Sequence, residues 1–248
     1  MAGRLQDRLA LITGASRGIG AAIAKAYAAE GAHVILVARS TGGLEEVDDE
    51  IQASGGSATL VPLDLTEFNA IDDMGQQIYE RWGKLDVLVG NAGILGTLAP
   101  VGHIPPEVWE RALALNVTAN WRLIRSLDPL LRQSDAGRAI FLTSGVTRHL
   151  PPYWGIYSAT KAALEALAAT YAKEVAKTSI RVNLVNPGPT RTKMRAQAFP
   201  GEDPETLPAP EHVAETLIRL AEPAFDGNGL WVAADAQHAG APASDAIN

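Results

Sequence analysis

Seven short apolar runs rich in β-branched residues recur along the chain, at 9–12, 33–38, 59–63, 86–89, 139–143, 180–185 and 230–233. Each is apolar on successive residues rather than alternate ones, the pattern of a strand covered on both faces, as in a parallel sheet. Longer segments between them, at 19–30, 44–53, 69–82, 106–131, 157–177 and 211–221, read as helices. Ile23, Ala24, Tyr27 and Ala28 share one stripe of the first; Leu164, Leu167, Ala168 and Tyr171 share one stripe of the fifth. Strand and helix alternate, which predicts right-handed crossovers and an α/β fold: a doubly wound parallel seven-stranded sheet with helices on both faces. Ligands of such folds sit at the carboxyl ends of the strands, so the residues that follow each strand matter most.

Two stretches break the pattern. Prolines at 187, 189, 200, 204, 208 and 210 mark a long irregular segment, expected to be a substrate lid over about 188–210. The end, 236–248, is small and polar with Gly240 and Pro242, and is expected to be a loosely held tail. With 248 residues, 47% apolar, and no internal repeat, a single dinucleotide-binding and catalytic domain over 1–248 is expected.

Charge and composition narrow the chemistry. A net charge of −7 disfavours a nucleic-acid partner, and the absence of cysteine removes disulfides, thiolate metal sites and a catalytic thiol. The five His show no metal-ligand spacing, so no metal is implied. The first apolar run is too short for a signal-peptide core, and the uncharged stretch 87–106 holds four Gly and three Pro, wrong for a spanning helix. A cytoplasmic protein without a membrane partner is expected.

The first strand runs into Thr13-Gly14-Ala15-Ser16-Arg17-Gly18-Ile19-Gly20 and then an Ala-rich helix. Gly14 permits a sharp turn, Gly18 lets backbone approach a pyrophosphate, and Gly20 lets helix pack on strand, with the helix N-terminus facing the anion. Arg17 beside that N-terminus is disfavoured by the helix dipole unless an anion neutralises it. Strand two ends in Ala38-Arg39, where an NAD enzyme would place an acid for the ribose hydroxyls. Without that acid, and with a guanidinium able to hold a 2′-phosphate, NADP(H) is favoured over NAD(H).

Tyr157 and Lys161 stand at i and i+4 on one helix face and can share a site. Proton transfer by the phenol near neutrality needs about 4 kcal/mol of phenolate stabilisation, much of which an ammonium could supply. The bare pair is also what a core tyrosine beside a surface lysine looks like. What separates the readings is company: the loop 13–20, Asn91-Ala92-Gly93 after strand four, Asn116, Ser144, Tyr157/Lys161 and Pro187-Gly188. In this order and spacing the chain, from about residue 7 to 237, resembles the short-chain dehydrogenase/reductase family.

The resemblance implies a Rossmann-like fold and roles by position. Tyr157 looks like the general acid of carbonyl reduction and Ser144 like the hydroxyl that holds the carbonyl oxygen. Lys161 would lower the tyrosine pKa and bind the nicotinamide ribose. Asn116 resembles the helix-kinking asparagine whose carbonyl holds a relay water. Asp64 and Leu65 look like the adenine contact, Asn91, Ala92 and Gly93 the wall beside the adenosine ribose, and Pro187, Gly188 and Thr192 the nicotinamide cradle. A homodimer or homotetramer through the helices at 106–131 and 157–177 is implied too. Gly90 departs from the family's Asn-Asn-Ala-Gly and is expected to weaken one structural hydrogen bond; Ala234-Asp235-Ala236-Gln237 replaces its Asp-Gly-Gly closure. The stretch 190–204 is similar to a little-characterised bacterial subgroup.

The expected pocket walls are Ile94, Leu95, Val146, Leu150, Pro151, Trp154 and Met194, which favour a hydrophobic ketone, aldehyde or secondary alcohol as small-molecule substrate. His149 could touch the substrate, but a lone His near a site is more often a hydrogen-bonded bystander. Two other readings stand beside the reductase: an epimerase or dehydratase with tightly held NAD, and a non-catalytic NADP(H)-sensing or scaffold protein on the same fold.

Overall fold

The computed structural model describes residues 3–234 and the strand Ser244–Ala246. Seven strands are parallel: β1 (Leu9–Thr13), β2 (His33–Ala38), β3 (Ser57–Pro62), β4 (Val87–Gly90), β5 (Arg138–Leu142), β6 (Arg181–Asn186) and β7 (Leu230–Ala233). Their order is β3-β2-β1-β4-β5-β6-β7. This is the doubly wound Rossmann-like sheet the alternation predicts. β8 (Ser244–Ala246) adds an antiparallel edge, pairing Val232 with Ser244. A strand therefore lies inside the stretch expected to be a loose tail; 235–243, 247 and 248 lie outside the described residues.

The central strands are buried on both faces because each face carries its own helical layer. On one, α1 (Gly18–Ala29), α2 (Thr41–Ala53) and α9 (Ala214–Ala221) bring Ile23, Tyr27, Leu44, Ile51 and Leu217 against Ile12, Leu36 and Ile140. On the other, α3 (Phe68–Trp82), α5 (Ala119–Leu131) and α7 (Gly155–Glu174) bring Ile71, Leu127 and Leu164 against Leu11, Leu88 and Phe141. Tyr27 donates its hydroxyl to the Leu217 carbonyl oxygen at 2.9 Å, satisfying the one polar atom this side chain carries into the core.

Three helical details were not legible. The helix expected over 106–131 is α4 (Pro106–Leu113) and α5, joined by a π-helical turn at Ala114–Thr118. Short helices α6 (Val146–His149) and α8 (Lys193–Ala198) form after β5 and inside the proline-marked segment. The chain moves outward from β1 to β3 and then crosses back to β4, so the order reverses between β1 and β4. There the two connections diverge and leave a crevice at the strand ends.

Candidate active site

Thr13 and Asn91 build the floor of that crevice. Thr13 Oγ1 donates to the Val89 carbonyl and accepts from Asn91 N and Ala92 N, both at 3.0 Å, while Asn91 Nδ2 donates to Thr13 O at 2.8 Å. β1 and β4 are thereby locked where the glycine-rich loop starts. Gly14 turns with φ 67°, and a Cβ on Gly20 would lie 2.2 Å from the Gly14 carbonyl oxygen, so only glycine lets α1 approach the loop this closely. Arg17, the extended N-cap residue of α1, makes no side-chain cap hydrogen bond, which leaves the helix's first N–H groups facing the crevice. A glycine cradle ending on an uncapped helix N-terminus fits a dinucleotide pyrophosphate. Ser16 sits against the start of α2 and Ile19 packs partly into the core.

At the end of β2, exposed Arg39 places Nη1 3.7 Å from Asp64 Oδ2. The surroundings of Arg39 are thus not free of carboxylate, because the turn after β3 supplies one from across the strand ends. Asp64 is otherwise occupied with its own turn, accepting from Thr66 N at 3.0 Å and Thr66 Oγ1 at 2.8 Å. Burial pushes its carboxyl up, but those hydrogen bonds and Arg39 together hold it below the usual range. Leu65 turns its side chain into the core.

The π-helical turn centres on fully buried Asn116. Its Oδ1 accepts from Ile94 N at 2.8 Å, and its Nδ2 donates to Ile94 O and to Thr160 Oγ1. The amide thus holds the strand-four loop onto α7. Asn120 Nδ2 donates to the Asn116 carbonyl at 2.9 Å. Asn120 also explains Gly90: a Cβ there would stand 2.4 Å from the Phe141 ring and 2.6 Å from Asn120 Oδ1. The space an asparagine side chain would need at 90 is filled from β5 and α5.

Tyr157, Lys161 and Ser144 meet beyond β5. The Tyr157 phenol faces Ser144, and Lys161 Nζ lies 5.7 Å from the Tyr157 ring centroid and donates to the Leu142 carbonyl at 2.7 Å. A Cβ on Gly93 would come within 3.6 Å of Lys161 Nζ, so the strand-four loop closes over the lysine. Burial lifts the phenol to about 12, against which the Ser144 hydrogen bond pulls down. Burial lowers the ammonium to about 8, partly offset by Glu165. The expectation that Lys161 brings Tyr157 toward neutrality is not met by this geometry: the ammonium is aimed at a backbone carbonyl, and desolvation dominates both groups.

The segment 188–210 folds back onto the site. Thr192 caps α8 by accepting from Arg195 N at 3.2 Å, and its methyl stands 3.6 Å from where a Gly18 Cβ would be. Arg195 binds Glu202 through two 2.6 Å hydrogen bonds and stacks 3.8 Å over Phe199, whose ring lies 5.7 Å from Trp154; Trp154 meets Tyr157 edge-on at 6.0 Å. Leu150 and Tyr153 are exposed and adopt positive φ, 44° and 73°, on either side of Pro151 and Pro152. Of the expected walls, Leu95 is buried at 3% exposure rather than open to the site. His149 is exposed at the end of α6.

Several site residues were missed. Asn186 Oδ1 accepts from Gly145 N and Gly188 N, at 3.1 and 3.2 Å, joining the Ser144 turn to the Pro187-Gly188 turn; an Asn at the end of a strand was the available signal. His212 bridges the carbonyls of Pro187 and Ala209 at 2.9 and 2.7 Å. Nothing local marked it. Among the described residues no cluster of potential metal ligands occurs and no helix is long and apolar enough to cross a membrane.

Known proteins with this arrangement are numerous. The oxidoreductase YciK of Escherichia coli is 40% identical over 219 residues, covering 87% of this chain and 86% of its own. A fatty acyl-CoA reductase of Acinetobacter baylyi is 37% identical over 218 residues, 86% of this chain and 72% of its own. A short chain dehydrogenase of Shigella flexneri, solved in complex with NADP, superposes with a TM-score of 0.90 at 37% identity, over 94% of this chain and 99% of its own. The sequence pattern of the short chain dehydrogenase family matches residues 8–203. With the glycine loop, the strand-four turn and the Ser144, Tyr157 and Lys161 cluster assembled on this sheet, the chain belongs to the short-chain dehydrogenase family of oxidoreductases.

Proposed function

We propose that this protein transfers a hydride between NADP(H) and a carbonyl or secondary alcohol, with Asn116, Ser144, Tyr157 and Lys161 as its catalytic group. The observation that carries this reading is the meeting of a phenol, a hydroxyl and a buried ammonium beside a glycine cradle at the carboxyl end of the sheet. The cradle fits the dinucleotide, with Gly14, Ser16, Gly18, Ile19 and Gly20 toward the pyrophosphate. Asp64, Leu65 and Asn91 to Gly93 would border the adenosine, and Pro187, Gly188 and Thr192 the nicotinamide. Arg17 and Arg39 would take the 2′-phosphate, Arg39 exchanging its contact with Asp64 for a stronger acceptor. NADP(H), when bound, carries the hydride.

The chain's own residues handle the oxygen and its proton. Ser144 donates a hydrogen bond to the substrate oxygen, and Tyr157 gives that oxygen its proton in reduction and takes it back in oxidation. Lys161, charged below about 8 and 5.7 Å from the Tyr157 ring, would turn its ammonium from the Leu142 carbonyl toward the phenolate left behind. The Asn116 carbonyl, already accepting from Asn120, has its second lone pair for a water in the proton path. Trp154 and Phe199 beside Tyr157, with exposed Leu150 and Tyr153 at the mouth, support an apolar substrate. The acyl chain in the name of the Acinetobacter relative points the same way.

NADPH and NADH oxidation across ketones, aldehydes, quinones and diketones tests this, with Tyr157→Phe alongside. We expect turnover with NADPH, weak turnover with NADH, and a loss of about 10²–10⁴-fold in Tyr157→Phe. A preference for NADH overturns the assignment of Arg17 and Arg39; unchanged turnover in Tyr157→Phe overturns the mechanism.

A further inference from the structure

α7 meets the end of β5 through three of its residues, one turn apart on a single face. Tyr157 engages Ser144, Lys161 engages the Leu142 carbonyl, and Glu165 engages Thr143 between them, whose Oγ1 lies 2.5 Å from Glu165 Oε1. Two of these contacts belong to the reaction as read above. The third does not touch the crevice, yet it is the most heavily connected: Glu165 Oε1 also accepts from Thr147 Oγ1 at 2.8 Å on α6 and from Trp231 Nε1 at 2.9 Å on β7. Every partner is a donor, the set a carboxylate calls for. One oxygen thus gathers β5, α6 and β7 onto α7 directly behind Ser144.

We propose that Glu165 is a positioning residue: as a carboxylate it pins the Thr143–Thr147 turn that presents Ser144, and as a negative charge one helical turn from Lys161 it holds that buried ammonium in its charged form. This rests on the roles of Ser144, Tyr157 and Lys161 given above. The turn needs the clamp because β5 ends at Leu142, the last backbone pairing to β6 is Thr143 N to the Val185 carbonyl at 2.8 Å, and Ser144 stands one residue beyond that pairing. Thr147 Oγ1 sits 2.8 Å from Glu165 and 2.9 Å from the Ser144 carbonyl, and its single proton goes to the charged acceptor. Lys161 needs the charge because its other neighbours, the Leu142 carbonyl, the Gly93 loop and Asn116, are uncharged. Tyr157 is its titratable neighbour on α7, and Arg148 on α6 stands 5.1 Å across the Trp231 ring that binds Glu165. Charge and clamp can be separated. Glu165→Gln keeps an oxygen acceptor for the three donors and removes only the charge, Glu165→Ala removes both, and Thr147→Val removes one donor and leaves the charge.

The direct readout is a ¹³C NMR titration of the full protein labelled at lysine Cε, with the Lys161 signal identified among the six lysines by its absence in Lys161→Arg. We expect Lys161 to titrate near 8 in the native protein and about one pH unit lower in Glu165→Gln and Glu165→Ala, and to stay in place in Thr147→Val. With NADPH and 9,10-phenanthrenequinone as the probe reaction, the alkaline limb of kcat/KM should move down with the Lys161 midpoint in Glu165→Gln, at unchanged KM for NADPH. Glu165→Ala should lose further kcat and Glu165→Asp should recover part of it. A Lys161 midpoint that stays put in Glu165→Gln overturns the proposal, as does a shift of the same size in Thr147→Val. Tyr157→Phe separates the two readings: if it turns over normally the mechanism fails, while the NMR titration, which needs no substrate, still judges Glu165.

Discussion

At the scale of single residues, chemistry here is bound to burial. Lys161 was legible as a partner for Tyr157 because four residues of helix separate them, but the sequence did not show that both would be desolvated. The consequence is measurable. Lys161 titrates near 8 in the fold against 10.5 when exposed, so the unfolded chain holds more protons between those values. Its folded-state penalty is complete below about 8 and relieved as pH rises toward 10.5, a span worth about 3 kcal/mol. Tyr157 acts in the opposite sense, weakening the fold from 10 upward to about 12. Denaturant titrations of the native protein and Lys161→Met from pH 7 to 10 should therefore diverge, the native protein gaining stability relative to the variant above pH 8. Parallel curves would sink this account.

Elements meet the site through positions that a motif reading scores as deviations. Gly90 stands where the related family carries asparagine, and the expected cost was one hydrogen bond. β5 and α5 show a compensation instead: Phe141 and Asn120 occupy the space above Gly90, and Asn120 ties itself to the carbonyl of the π-helical turn. Gly90→Ala should then overpack this junction and cost about 1–3 kcal/mol in chemical denaturation. An unchanged midpoint would mean that Phe141 moves aside freely. The π-helical turn belongs to the same class of feature. Periodicity predicts one helix over 106–131 because one extra residue in a turn shifts the apolar stripe too little to be seen in a single sequence. Only the hydrogen bonds of Asn116 to Ile94 and Thr160 reveal that the turn was widened to hold a loop.

For the molecule as a whole, an apolar groove of about 490 Å³ on the outer face of α5 and α7 is lined by Val117, Trp121, Ala163, Leu167 and Thr170. It lies on the helices through which the family resemblance implies self-association, and Trp121 remains exposed there. Sedimentation should show a dimer or tetramer that the double variant Trp121→Asp, Leu167→Asp converts to monomer; a monomeric native protein would refute this. The sequence alone determined the parallel sheet, the glycine-rich turn after β1, and the order of Asn116, Ser144, Tyr157 and Lys161. Each of these is a local signal, a run of apolar residues or a motif of fixed spacing. What only the tertiary structure decided are the contacts between distant segments: Glu165 with Thr143 and Trp231, Asp64 with Arg39, Asn186 and His212 around Pro187, and the desolvation of Lys161 and Tyr157. Hydrogen bonds and burial depend on which elements the fold brings together. A single chain of letters specifies those meetings only through the packing of the whole.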